Sequence, residues 1–115
     1  MSIPRRIVVP GRSKYFNEPV VYDGRRFASK AEGSRYLALK TVETLGQIHE
    51  LRCQVRFPFV INRVKIGAYV ADFVYLEAFT GRLIVEDVKG YRTREYKLKA
   101  KLMLAIHGIK ILETT

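Results

Sequence analysis

Residues 69–76 read YVADFVYL, residues 77–81 read EAFTG, and residues 82–90 read RLIVEDVKG. The first and third runs are rich in β-branched and aromatic residues, which favour strands. The Thr80-Gly81 pair between them can form a tight turn. The sequence therefore predicts an antiparallel β-hairpin over residues 69–90, and the other elements are predicted outward from it.

Two carboxylates and a lysine fall on one face of this predicted hairpin. With the turn at residues 80–81, Val74 lies opposite Asp87 and Asp72 lies opposite Lys89. Because side chains alternate between the two faces of a strand, Asp72, Asp87 and Lys89 then share a face. A three-residue loop would instead place Glu86 beside Asp72, so the second carboxylate stays open between Glu86 and Asp87.

This set of side chains fits poorly into an apolar core. Neighbouring carboxylates repel each other, and a buried lysine needs a partner. A hard divalent cation between the carboxylates, with the lysine near a metal-bound water, would account for the arrangement. The alternative without a function is a solvated cross-strand pair between Asp72 and Lys89, with Asp87 in water.

The composition points to a polyanionic partner. The 115 residues include 21 Lys and Arg against 11 Asp and Glu, a net charge of +10, which favours nucleic acid binding. The length predicts one domain over residues 20–115, preceded by a basic arm over residues 1–19. No apolar run could span a bilayer and no signal peptide is visible, so we expect a cytoplasmic protein. The single Cys53 excludes an internal disulfide and a multi-cysteine zinc site.

Upstream of the central hairpin, the pattern predicts a small hairpin, a helix and a strand. Asp23-Gly24 is a type I′ turn signal. A helix is expected from Ser29 to about Leu45, before Gly46, and Ser29 and Glu32 have the spacing of a capping box. Its apolar stripe is expected at Ala31, Ala38, Val42 and Leu45. A strand is expected over residues 52–61, at a sheet edge because of Pro58, with a turn over residues 62–67.

Downstream, a helix and a final strand are expected. Thr93 is a candidate N-cap for a helix over residues 94–107, which ends at Gly108. Its predicted core positions are Leu98, Leu102, Ala105 and Ile109. Residues 109–113 form a short strand, parallel to residues 82–90 because a helix connects the two. Exposed cations are expected to contact phosphate: Arg5, Arg6, Arg12, Lys14, Arg25, Arg26, Lys30, Arg92, Arg94, Lys97, Lys99 and Lys101.

These residues carry a family resemblance. Ala71-Asp72, then fourteen residues, then Asp87-Val88-Lys89 resembles the bipartite signature of PD-(D/E)XK nucleases, with Ala71 in place of the usual proline. The predicted order of helix, three antiparallel strands, helix and strand is similar to the αβββαβ core of that superfamily, an α/β (α+β) fold with a mixed sheet flanked by helices. Size and layout look most like Holliday junction resolvases of the archaeal and phage type. A second pattern is similar to a family of small, mostly uncharacterised phage proteins. It consists of Gly24-x-x-Phe27-x-Ser29-x-x-Glu32-x-x-x-Tyr36, followed by Gln54, Asp72 and residues 86–90.

The resemblance implies a Mg²⁺-dependent endonuclease, with Mn²⁺ as a substitute, that makes paired cuts in four-way DNA junctions as a homodimer. It also implies a bacterial or archaeal host, with the gene carried by the host or by a phage. Asp72, Asp87 and the Val88 carbonyl would hold the metal, Glu32 would complete the site, and Lys89 would orient or help deprotonate the attacking water. Auxiliary positions are Gln54, Glu86 and Ser29. Two alternatives remain: a non-catalytic nucleic-acid-binding module, and a nicking or restriction-like nuclease on the same core.

Overall fold

A computed structural model describes residues 18–89 and 91–115. The predicted arm, with Arg5, Arg6, Arg12 and Lys14, therefore lies almost entirely outside the described residues. The chain divides into two compact units, Met1–Ser34 and Arg35–Thr115. The single domain over residues 20–115 stays a prediction. No helix in the described ranges is long and apolar enough to cross a membrane.

The first unit contains a short antiparallel hairpin of β1, Val20–Tyr22, and β2, Arg25–Phe27. Asp23 and Gly24 between them have φ values of 53° and 73°. A type I′ turn needs a positive φ at both central residues, and aspartate followed by glycine supplies this at low cost. The predicted hairpin and its turn type are confirmed.

The helix α1 spans Lys30–Thr44 and is followed by Gly46 with a φ of 79°. The Ser29 Oγ accepts a hydrogen bond from the Glu32 backbone N–H at 3.1 Å, which is one half of the predicted capping box. The predicted apolar stripe is wrong: Ala31, Ala38 and Leu45 are exposed.

Tyr36 and Leu39 are the buried apolar residues of α1, and Glu32 is buried too. Glu43 follows Leu39 by four residues and is partly buried. These four positions have the same helical spacing as the predicted stripe, but two of them carry carboxylates. A count of apolar residues alone therefore selected the wrong face.

The second unit contains a mixed sheet in the order β3-β4-β5-β6. These strands are β3 Ile48–Ile61, β4 Val64–Glu77, β5 Leu83–Val88 and β6 Leu112–Thr114. The first three are antiparallel, and β6 pairs with β5 in parallel. The α+β class, the mixed sheet and the predicted order of elements are confirmed. Pro58 does lie in an edge strand, as its missing N–H requires.

Strand ends and register differ from the prediction. β3 begins at Ile48 and β4 at Val64, so the turn between them is only Asn62-Arg63, with φ values of 50° and 66°. Val74 lies opposite Val85 and not opposite Asp87. The hairpin loop has four residues, because the Glu77 N–H donates to the Arg82 carbonyl at 2.9 Å. The register therefore shifts by two positions, which preserves the face of every side chain.

The helix α2, Arg94–Leu102, continues into a π-helical turn, Met103–His107, and ends at Gly108 with a φ of 67°. Thr93 caps it by accepting the Tyr96 N–H at 3.0 Å, as predicted. Two of the predicted core positions are wrong, because Leu98 and Ala105 are exposed.

The core cluster of the second unit includes these buried residues: Phe59, Tyr69, Ala71, Val74, Val85, Tyr96, Met103 and Ile111.

A bulge near the start of β3 is held by a carboxylate of α1. The register shifts between His49 and Arg52, and Glu50 has a φ of 57°. The Leu51 N–H donates to Glu43 Oε2 at 3.0 Å. This hydrogen bond, with the nearby Lys40 ammonium, lowers the pKa of Glu43 below its usual range.

We expect Glu43→Gln to make the stability of the protein less dependent on pH in the acid range. Because the folded-state pKa of Glu43 is depressed, its stabilisation is present above the unfolded pKa of about 4.3 and is lost as pH falls through the folded value. Between about pH 5 and about pH 3, the melting temperature of the wild type should therefore fall more than that of the variant. Thermal melts across this range measure the difference, and parallel curves would contradict the role given to Glu43.

Candidate active site

One pocket, of about 280 Å³, contains the residues that the sequence placed on a single face. Asp72 comes from β4, Asp87 from β5, and Lys89 follows β5 directly. Tyr69, Val70 and residues at the start of α2 complete the walls. The structure therefore brings Asp72, Asp87 and Lys89 together, which is the geometric part of the prediction.

Both oxygens of Asp72 have partners. Oδ2 accepts the Val88 backbone N–H at 2.8 Å, and Oδ1 lies 3.4 Å from Gln54 Nε2, which donates to it. The first contact links the β4 carboxylate to the backbone of β5. Gln54, predicted as an auxiliary residue, thus contacts the site through Asp72.

Asp87 is nearly buried, at 5% exposure. The Tyr69 hydroxyl donates to its Oδ2 at 2.5 Å, and the Lys89 ammonium lies 3.5 Å from its Oδ1. Burial and the hydrogen bond to Asp87 raise the pKa of Tyr69 well above its usual range, so the phenol remains a proton donor at neutral pH. Tyr69 therefore fixes the direction of the Asp87 carboxylate.

Aromatic and acidic groups position the Lys89 ammonium. It lies 4.1 Å from the centre of the Tyr96 ring, within the range of a cation–π interaction. The Tyr96 hydroxyl donates to Glu113 Oε2 at 2.8 Å, and Arg92 lies 3.4 Å from Glu113 Oε1. Burial and the Glu113 contact raise the pKa of Tyr96. The ammonium is therefore held between Asp87 and a ring that is itself anchored to β6.

A break in strand alternation brings Tyr69 into this pocket. Tyr69 and Asp72 are three positions apart, so a regular strand would place them on opposite faces. Gln54, in the facing strand between the pairs Cys53–Phe73 and Val55–Ala71, has a φ of 54°. A non-glycine residue in this region costs about 1–3 kcal/mol and is found preferentially at functional sites. The position of Tyr69 in the pocket was not predicted from the sequence, because regular alternation of side chains places it on the other face of β4.

Glu86 lies on the opposite face of β5 and is fully buried. Arg35 donates to both of its oxygens, from Nε at 2.5 Å and from Nη2 at 3.0 Å. The Tyr75 hydroxyl at 2.7 Å and the Thr114 hydroxyl at 3.1 Å also donate to it. Of the Glu86-Asp87 doublet, only Asp87 therefore lines the pocket that contains Asp72 and Lys89.

Glu32 and Ser29, which the sequence placed at or near the metal, belong to the first unit. The described contact between them is the helix cap. The role of Glu32 as a metal ligand stays a prediction.

The donor set of the pocket suits a hard cation. Among the described residues, no three His, Cys, Asp or Glu side chains form a metal-binding group. Asp72 and Asp87 nevertheless supply two carboxylates, and each oxygen has lone pairs beyond its present contact. Mg²⁺ is commonly bound through one or two carboxylates, with water and substrate phosphate as the other ligands. The residues present therefore fit this metal.

The predicted phosphate-contacting cations differ in their surroundings. Lys30, Arg92 and Lys99 form ion pairs with Glu18, Glu113 and Glu95 respectively. Five others are exposed on the described surface: Arg25, Arg26, Arg94, Lys97 and Lys101.

The fold and this pocket define an α+β protein with an acidic pair and a lysine at one side of a mixed sheet. The chain belongs to the DUF1064 family, described as a protein of unknown function, which matches residues 12–110. No curated protein and no solved structure matches the chain significantly.

Proposed function

We propose that this protein is a metal-dependent DNA endonuclease with a PD-(D/E)XK-type core, and that its substrate is a four-way junction cut by a homodimer. The observation that carries the proposal is the pocket formed by Asp72, Asp87 and Lys89. A protein that only binds nucleic acid gains nothing from two carboxylates that face phosphate. The mixed sheet and the order of its elements support the same class.

In this mechanism Asp72, Asp87 and the Val88 carbonyl would hold a divalent cation such as Mg²⁺ or Mn²⁺. When bound, the cation supplies Lewis-acid stabilisation of charge on the scissile phosphate and favours ionisation of water. The Val88 N–H and the Tyr69 hydroxyl keep the two carboxylates in place. Lys89 lies beside Asp87, where its ammonium can donate to the attacking water or to the phosphate.

Resolution of four-way junctions is the specific nuclease activity that we propose. Resolution of a four-way junction needs two symmetric cuts, so a two-fold dimer is the expected assembly. Light scattering on the protein bound to junction DNA measures the stoichiometry. One protein chain per junction would contradict the paired-cut mechanism.

The decisive assay compares a labelled four-way junction with a linear duplex of matching sequence, in Mg²⁺ or in EDTA. Wild type should make metal-dependent paired cuts near the branch point, and Lys89→Ala should lose them. Lys40→Ala is the matched control, because Lys40 lies on α1 and pairs with Glu43; it should cut like wild type. Equal cutting of both substrates would support a nuclease and reject the resolvase. Tight binding without cutting in any metal would favour the non-catalytic binding module.

A further inference from the structure

The two longest strands extend beyond the rest of the sheet. β3 and β4 have 14 residues each, whereas β5 pairs with β4 only between Phe73 and Leu76. Within the described chain, residues 55–71 therefore form a two-stranded ribbon with no third strand beside it. Its tip is the tight Asn62-Arg63 turn, and residues 60–66 are all exposed.

The ribbon and its base carry charge of one sign. Between Leu51 and Ala71 the chain has no Asp or Glu. Its cations there are Arg52, Arg56, Arg63 and Lys65. All four are exposed, and none of them forms an ion pair with another described residue. By contrast, Lys40 and Arg82 elsewhere in the second unit are paired with acids.

This basic surface begins at the rim of the candidate active site. Arg56 lies directly opposite Val70 in the β3–β4 ladder. Val70 also lines the pocket that contains Asp72 and Asp87. A polyanion that follows the ribbon towards its base therefore reaches the carboxylates.

The charge of the ribbon distinguishes between two partners that it could bind, a second copy of the chain and a nucleic acid. Exposed β-branched residues at the tip, Val60, Ile61, Val64 and Ile66, could pack on a second copy of the chain. Two identical ribbons, however, would bring eight cations together with no acid between them. A phosphate backbone neutralises the same charges and releases counterions. The aliphatic side chains can then contact sugars or thymine methyl groups.

We propose that the β3–β4 ribbon is a DNA-binding arm that enters a groove of the duplex and guides the strand to Asp72 and Asp87. The major groove of B-DNA admits a two-stranded β-ribbon. This inference rests on the proposed nuclease function for its substrate, but the arm binds DNA whether or not the pocket cuts. Binding in EDTA therefore tests the arm separately from cleavage.

The test compares two variants with the same change in net charge. Arg63→Gln/Lys65→Gln removes two cations from the tip, and Lys40→Gln/Arg82→Gln removes two from outside the ribbon. Fluorescence anisotropy with a labelled duplex, in EDTA over a range of salt, measures affinity. The tip variant should bind about tenfold more weakly at low salt, and its plot of log affinity against log salt should be shallower by about 2. The control should stay within about twofold of wild type.

Three results would contradict a DNA-binding role for the β3–β4 ribbon. These are wild-type affinity in the tip variant, an equal loss in both variants, and a change in oligomeric state of the tip variant with DNA affinity unchanged. The last would assign the ribbon to a protein interface. Circular dichroism melts of both variants check that the fold is intact. Wild type that binds through the tip but never cuts with Mg²⁺ or Mn²⁺ would keep the arm and reject the nuclease.

Discussion

Asp72→Asn should lower metal-dependent DNA cleavage by at least about 100-fold, because residues that merely support a metal ligand already cost about 10–100-fold when changed. The asparagine carbonyl can still accept the Val88 N–H that Asp72 accepts at 2.8 Å, so the strand pair is preserved. One negative charge near phosphate disappears. DNA affinity in EDTA should therefore equal or exceed that of wild type. Cleavage assays and anisotropy on the same preparation measure the two effects.

Asp23→Asn is the matched control for this substitution. Asp23 lies in the type I′ turn of the first unit with a φ of 53°, a conformation that asparagine adopts readily. A second readout is independent of cutting: Mn²⁺ should raise the melting temperature of wild type and of Asp23→Asn, but not of Asp72→Asn. If Asp72→Asn cuts at the wild-type rate, the pocket is not the active site.

Arg35→Ala should reduce the free energy of unfolding by about 3–5 kcal/mol, the usual cost of removing one partner of a buried ion pair. Glu86 has no exposed surface, and Arg35 contacts both of its oxygens. Without the guanidinium, the donors left to this carboxylate among the described residues are the Tyr75 and Thr114 hydroxyls. Urea denaturation followed by circular dichroism gives the change in stability.

Arg82→Ala serves as the comparison, because Arg82 also pairs with a glutamate, Glu77, but at the surface. Exposed ion pairs contribute little, so its denaturation midpoint should match that of wild type. A loss below about 1 kcal/mol for Arg35→Ala would contradict the stabilising role given to the pair of Arg35 with the buried Glu86.

The order of elements and the shared face of Asp72, Asp87 and Lys89 could be predicted because both depend on short-range periodicity. The register itself could not. Thr80 accepts the Arg82 N–H at 3.1 Å and donates to Glu77 at 2.8 Å, which builds a longer loop than the predicted turn. Since the shift is two residues, the period of two in a strand left the face assignment intact.

Residues that depend on distant contacts were not predictable. Arg35 lies 51 positions from Glu86, and no local pattern pairs them. Tyr69 contacts Asp87 although regular alternation would place Tyr69 and Asp72 on opposite faces, and Gln54 in the facing strand has a positive φ that the sequence does not reveal. In α2, Leu98 is exposed while Tyr96 is buried, because the tyrosine satisfies its hydroxyl on Glu113 and packs its ring under Lys89. Hydrophobicity scales do not register such compensation.

Glu86 and Asp87 are consecutive residues that serve opposite sides of one strand. The peptide bond between them couples a buried ion pair behind the sheet to a carboxylate in front of it. Under the proposed nuclease function, genetic screens for lost DNA cleavage should therefore also return substitutions at Arg35 or Tyr75, although neither side chain lines the pocket. Such variants would differ from substitutions at Asp72, Asp87 or Lys89 by recovering function at low growth temperature, since they destabilise the strand and leave the pocket side chains unchanged.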